Sequence, residues 1–153
     1  MSGPSFPDKL LAGEELTISP TPAQQQQRMT DRLTSQNGTF RLMLQPDGNL
    51  VLSVMSMSTA GPHYQPIWAS GTQNKPVYRC IMQRDGNLVI YNAAGTPLWD
   101  SHTSGHLGAT AIVQDDGNFV IYAADGRTPI RWTGTAAGQA QPGNIFREMQ
   151  PHM

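Results

Sequence analysis

Along the middle of the chain, apolar and polar positions alternate with the period of two that marks a half-buried strand. Leu42, Leu44, Leu50 and Leu52 share one face of the first such stretch. Cys80, Met82, Leu88 and Ile90, and then Val113, Phe119 and Ile121, take the same positions in two later stretches. Each stretch is divided by Asp-Gly, a strong hairpin signal. In the first, Pro46 and Asp47 suit a type I turn, and Gly48 suits the left-handed position that follows it. Such a three-residue loop pairs Gln45 with Asn49, Leu44 with Leu50, Met43 with Val51 and Leu42 with Leu52. The opposite face then carries Gln45, Asn49, Val51 and Ser53, and later Gln83, Asn87, Val89 and Tyr91, and Gln114, Asn118, Val120 and Tyr122. Asp47, Asp85 and Asp116 stand at the tips.

The three stretches are copies of one repeat, with motifs at 45–53, 83–91 and 114–122. Each is followed by a tryptophan segment: Pro66-Ile-Trp68-Ala-Ser, Pro97-Leu-Trp99-Asp-Ser and Pro129-Ile-Arg-Trp132-Thr. These segments read as third strands of three- or four-stranded antiparallel units. One such sheet cannot bury its apolar face alone, so three are expected to close around a pseudo-threefold axis, with the tryptophans as the central filler. No segment shows a helical stripe, so the fold class is all-β. Asp8 to Leu16 reads as a first strand completing one sheet. Ser19 to Gln36, with Pro20, Pro22 and the Gln24–Gln27 run, reads as a long loop with room for one helical turn, and Val54 to Gln65 as an insertion peculiar to the first repeat. The expected organisation is a flexible N-terminus at 1–7, a single domain at 8–138 and a C-terminal tail at 139–153.

Composition narrows the function. Charged residues are 14%, against roughly 25% in an average soluble protein. Lys+Arg 10 against Asp+Glu 11 leaves a net charge of -1, which argues against a nucleic-acid partner needing a basic stripe. No run of 18 apolar residues occurs, so no membrane insertion is expected. Met1-Ser-Gly-Pro-Ser-Phe-Pro-Asp-Lys lacks the charged and apolar regions of a secretory signal, and a cytoplasmic or non-classically released protein is the expectation. Cys80 is the single cysteine, so no intramolecular disulfide forms; it falls on the core face as a buried thiol. His102 and His106 lack companions at ligand spacing, and no metal or cofactor is expected.

The repeated polar face has a chemistry of its own. Gln and Asn donate and accept, Asp accepts, Tyr adds a hydroxyl on an aromatic body, and Val supplies an apolar floor. Vicinal hydroxyls on a pyranose ring need that mixture. Turn chemistry alone accounts for Asp-Gly-Asn but for neither the glutamine nor Val-x-Tyr. The aspartates fall on different sheets, so no two form an acid/base pair, and no nucleophile elbow or phosphate loop is present. Catalysis is not expected.

The pattern Gln-x-Asp-x-Asn-x-Val-x-Tyr, repeated with a tryptophan after each copy, resembles the bulb-type (monocot, snowdrop-like) mannose-binding lectins from about Asp8 to Gly138. The resemblance implies the β-prism II fold, three antiparallel sheets around a Trp-lined core with one mannose site per sheet. It implies mannose-binding roles for Gln83, Asp85, Asn87, Val89 and Tyr91, and for Gln114, Asp116, Asn118, Val120 and Tyr122. The first repeat matches at Gln45, Asp47, Asn49 and Val51, but Ser53 stands where the family has tyrosine, so a weaker or degenerate site is implied there. Plant members carry a cysteine pair, one member of it where this chain has Gly48; its absence is closer to bacterial, fungal or animal relatives. The implied partners are mannose and mannose-containing glycans, together with a second copy in a homodimer that exchanges a C-terminal strand within Arg131 to Ala137. The alternative is a protein-interaction or lectin-like antibacterial protein on the same scaffold with vestigial sugar sites.

Overall fold

The computed structural model describes residues 6–26, 30–138 and, for the backbone, 147–148. In chain order its strands are β1 (Lys9–Leu10), β2 (Glu15–Thr17), β3 (Arg32–Thr34), β4 (Phe40–Leu44), β5 (Leu50–Ser58), β6 (Gly61–Ala69), β7 (Val77–Met82), β8 (Leu88–Asn92), β9 (Pro97–Asp100), β10 (Thr110–Val113), β11 (Phe119–Tyr122), β12 (Pro129–Trp132) and β13 (Arg147–Glu148). They form three antiparallel sheets, ordered β3-β4-β5-β6, β2-β7-β8-β9 and β1-β10-β11-β12-β13, accompanied among the described residues by the short helix α1 at Pro22–Gln26 and a 3-10 turn at Ala136–Gly138. This is the all-β, three-sheet architecture of a β-prism II.

Each sheet is built on the expected hairpin. Gly48, Gly86 and Gly117 take φ of 94°, 94° and 97°, the left-handed step that ends a three-residue loop. Gln45 N–H donates to the Asn49 carbonyl, and Leu44 stands opposite Leu50, Met43 opposite Val51 and Leu42 opposite Leu52, the register the alternation requires. The inner faces meet in one core, where Leu42, Leu44, Leu50, Leu52, Cys80, Met82, Leu88, Ile90, Val113, Phe119 and Ile121 are all buried. Burial pushes the Cys80 thiol well above its ordinary range, with the Glu15 carboxylate adding to the shift.

The fourth strand of each sheet departs from the sequence reading. Asp8 to Leu16 does not make one strand: β1 joins β10, a turn through Gly13 intervenes, and β2 joins β7 in a different sheet. The expected loop at Ser19 to Gln36 contains α1 and also β3, which pairs with β4. Two or three residues suffice to occupy a sheet edge, too few for period-two alternation to register. The Val54 to Gln65 insertion lengthens β5 and β6 into a hairpin with nine-residue arms, extending past the other two.

The tryptophans also divide. A bulge in each outer strand sets Ile67 with Trp68, and Leu98 with Trp99, so that both residues of each pair reach the core. Trp68 and Trp99 meet edge to face at 5.8 Å. In the third sheet that register falls on Arg131, which stands opposite Ile121, and Trp132 stands opposite Val120 on the outer face. The expectation of three core tryptophans is therefore corrected to two; the additional Arg131 shifts Trp132 by one residue, and one residue turns a strand side chain to the other face.

Candidate functional site

The outer face of each hairpin gathers the repeated polar residues. Asp47, Asp85 and Asp116 each accept the backbone N–H of the asparagine two residues on, at 2.9 Å in all three repeats. The asparagine carbonyls reach sideways to the segment after each third strand. Asn49 Oδ1 accepts from Ser70 Oγ, Gly71 N and Thr72 N at 3.2, 3.0 and 3.2 Å. Asn87 does so with Ser101 Oγ and Thr103 N, and Asn118 with Thr133 Oγ1, Gly134 N and Thr135 N. The hydroxyls of Thr72, Thr103 and Thr135 in turn donate to the carbonyls of Gly48, Gly86 and Gly117. Strand alternation does not point to these Ser/Thr-x-Thr segments, although their recurrence after each outer strand is a readable signal. They anchor the asparagine carbonyl, so the amide nitrogen is the end left as a donor.

In the second repeat the remaining groups form a chain. The Tyr91 hydroxyl donates to Gln83 Oε1, and Gln83 Nε2 donates to Asp85 Oδ1 and Oδ2 at 3.1 and 3.3 Å. In the third, with the Gln114 amide turned so that Nε2 faces Asp116, Tyr122 donates to Gln114 and Gln114 to Asp116 at 3.2 and 3.3 Å. Val89 and Val120 lie beneath, each 3% exposed. A crevice of about 420 Å³ opens beside Gln114 and Asp116, with Ile112 and Asp8 on its other walls. Side chains already bonded to one another lose less freedom when a ligand arrives, and each keeps a lone pair or N–H for it. The residues implied by the resemblance in repeats two and three are thus brought together.

The three faces are not equivalent. Beside the valine, the outer strand places Ala69 in the first sheet, Asp100 in the second and Trp132 in the third. Asp100 accepts from Asn87 Nδ2 at 2.9 Å and lies 3.3 Å from His102 Nδ1. In the first repeat, Gln45, Asp47, Asn49 and Val51 hold the same backbone positions, yet no side-chain hydrogen bond of Gln45 occurs among the described residues, because Ser53 has no phenol to reach it. His106 bonds the Thr103 carbonyl through Nδ1 at 3.0 Å, and the described residues contain no cluster of three or more metal-ligating side chains.

No family model matches the chain. Among curated proteins it is 40% identical over 68 residues to the B-type lectin plumieribetin of Scorpaena plumieri, a match covering 44% of this chain and 52% of that protein, so it spans about half the relative's length. Among solved structures it is similar to a monomeric monocot mannose-binding lectin from Gastrodia elata, at 32% identity over 84% of this chain and 98% of that one, with a TM-score of 0.62. It is likewise similar to the mannose-specific agglutinin of snowdrop, Galanthus nivalis, solved with methyl α-D-mannoside, at 34% identity over 76% of this chain and 89% of that one, with a TM-score of 0.57. A Marasmius oreades lectin, at 24% identity and a TM-score of 0.67 over 88% of this chain and 96% of that one, shares the fold. With the hairpin motif in triplicate, the three-sheet prism and these identities over most of the solved relatives' length, the chain belongs to the bulb-type lectin family.

Proposed function

We propose that the protein is a carbohydrate-binding lectin that holds terminal α-D-mannose, without catalysis and without metal or cofactor, on the outer faces of repeats two and three. The observation that carries this reading is the bonded chain of tyrosine, glutamine and aspartate over a buried valine, made twice on separate sheets. Its donors and acceptors alternate, as the hydroxyls of a pyranose do, and the valine offers the ring carbons an apolar contact. Four to six such bonds at roughly 1 kcal/mol each give a site of roughly millimolar strength. Presenting several sites on one rigid body then raises the avidity by about 10²–10⁴-fold. A homodimer exchanging the C-terminal strand belongs to the same proposal, and a sedimentation mass of one chain would remove it.

The test is calorimetric titration with methyl α-D-mannoside, comparing the parent with Gln83→Ala plus Gln114→Ala. The glutamine is the better target because its side chain bonds only within the site, whereas the aspartate and asparagine also hold the turn. Binding in the parent that disappears in the double variant, with the unfolding midpoint unchanged, supports the reading. Absence of heat in a folded parent would refute it and favour a protein-interaction role on the same scaffold.

A further inference from the structure

The first repeat is the odd one of the three, and the difference is more than a missing tyrosine. Arg41 on β4 stands opposite Ser53 on β5, and Tyr64 on β6 stands opposite Met55, two residues further along the same face. The Arg41 guanidinium lies 3.6 Å from the centre of the Tyr64 ring. To make that contact Arg41 crosses over β5, and it does so where the serine is 3% exposed. A tyrosine at 53 would occupy the same space. Ser53 therefore makes room for a cation where the other faces have a phenol, and the insertion hairpin supplies the aromatic surface that holds it.

The charge around this arginine differs from that of its counterpart. Arg79 occupies the same register opposite Tyr91, and Glu15 on the neighbouring strand neutralises it at 3.2 Å. In the first sheet the residue at Glu15's register is Arg32, opposite Met43 as Glu15 is opposite Ile81. Arg32 pairs with Asp31 at 2.8 Å, and Asp31 reaches Arg41 only as a charge that Arg32 more than opposes. Arg41 has neither an ion pair nor a hydrogen bond among the described residues, and its Nε is buried with no acceptor. A guanidinium has five N–H donors in a fixed fork suited to carboxylate, sulfate or phosphate oxygens.

We propose that the outer face of the first repeat binds an anionic pyranose, with Arg41 holding the carboxylate, sulfate or phosphate while Asp47, Asn49 and Val51 hold the ring. The spacing fits: Val51 and Ser53 are successive residues of one face, about 6.8 Å apart. A ring over Val51 brings an exocyclic substituent to the guanidinium over Ser53. This face is then a site of changed specificity rather than a decayed copy. The inference does not depend on mannose binding at repeats two and three, since it uses none of their residues.

The experiment is an NMR titration of the full chain with mannose 6-phosphate, methyl α-D-mannosiduronate and methyl α-D-mannoside, with inorganic phosphate alone as a control. We expect the two charged sugars to shift the Val51 and Ser53 amides and the Arg41 Nε–H, with about tenfold tighter binding there than the neutral mannoside, the gain of one charge-assisted hydrogen bond. Arg41→Gln should abolish that preference and Arg41→Lys retain part of it, and Tyr64→Ala should weaken it by freeing the guanidinium. If Arg41→Gln does not fold, the lysine and Tyr64 variants still decide. Equal affinity for charged and neutral sugars at these amides, shifts confined to repeats two and three, or an equal response to inorganic phosphate alone would each overturn the proposal. Failure of the mannose reading would appear separately, as unmoved Tyr91 and Tyr122 amides.

Discussion

Replacing Asn49 by alanine and measuring unfolding without any sugar isolates the architectural duty of the motif asparagine from its contacts with a ligand. Asn49 Oδ1 gathers three donors, and the Thr72 N–H among them belongs to a residue only 1% exposed. The Gly71 hydrogen bond, at an exposed position, is lost at about 1 kcal/mol, and the buried Thr72 N–H is left without an acceptor at about 1–3 kcal/mol. The Ser70 hydroxyl keeps Thr72 Oγ1 at 2.8 Å and adds little. Asn49→Ala should therefore destabilise the fold by about 2–4 kcal/mol, which for a domain of this size lowers the melting temperature by about 6–15 °C. Asn49→Asp keeps the acceptor and should fall within about 1 kcal/mol of the parent. Thermal and urea unfolding followed by tryptophan emission measures both. An alanine variant that unfolds within about 0.5 kcal/mol of the parent would refute the argument that the asparagine carbonyl is structural. It would also make asparagine-to-alanine changes clean probes of sugar contact.

Further outcomes follow from single positions. Gly86→Ala should cost at least about 2 kcal/mol more than Gly95→Ala in urea unfolding: both have positive φ, but a Cβ at 86 meets the His106 carbonyl, whereas one at 95 meets nothing within 4 Å. Cys80, its pKa raised by burial, stays a neutral thiol at pH 8 and should react with a disulfide reagent only as the protein unfolds; immediate stoichiometric reaction of the native chain would contradict this. Methyl α-D-mannoside should change the tryptophan emission through Trp132, which lies beside Val120 on the outer face, and Trp132→Phe should remove the change.

The hairpins were legible because their signals are local and redundant. Asp-Gly tips, period-two alternation and a matching polar face agree in every repeat, and the structure keeps the register they require. Strands β1, β2 and β3 left little trace in the sequence, since two or three residues at a sheet edge are selected by the pairing they complete. In the first repeat, Ser53 reads in sequence as a loss. Its consequence depends on Arg41 and Tyr64, which lie 12 and 11 residues away in the chain and meet only across three paired strands.

The displaced tryptophan shows how a repeat alignment misleads when it rests on the most conspicuous residue. Aligned on tryptophan, the third copy contains an extra Arg131 and the three cores look alike. Aligned on the Ser/Thr-x-Thr segments, with Ser70, Ser101 and Thr133 in one column, Arg131 falls with Trp68 and Trp99, and Trp132 with Ala69 and Asp100. The second alignment is the one the hydrogen bonds enforce, because the hydroxyls of Ser70, Ser101 and Thr133 accept the N–H of Leu50, Leu88 and Phe119, each at 3.0 Å. Buried polar groups fix the register here, since leaving several of these bonds unmet costs more than turning one tryptophan away from the core. The column one residue earlier lies opposite the valine of every face, and it holds alanine, aspartate and tryptophan in turn. The shared hydrogen bonds hold three hairpins in one geometry, which frees this neighbouring position to differ and gives each face its own chemistry.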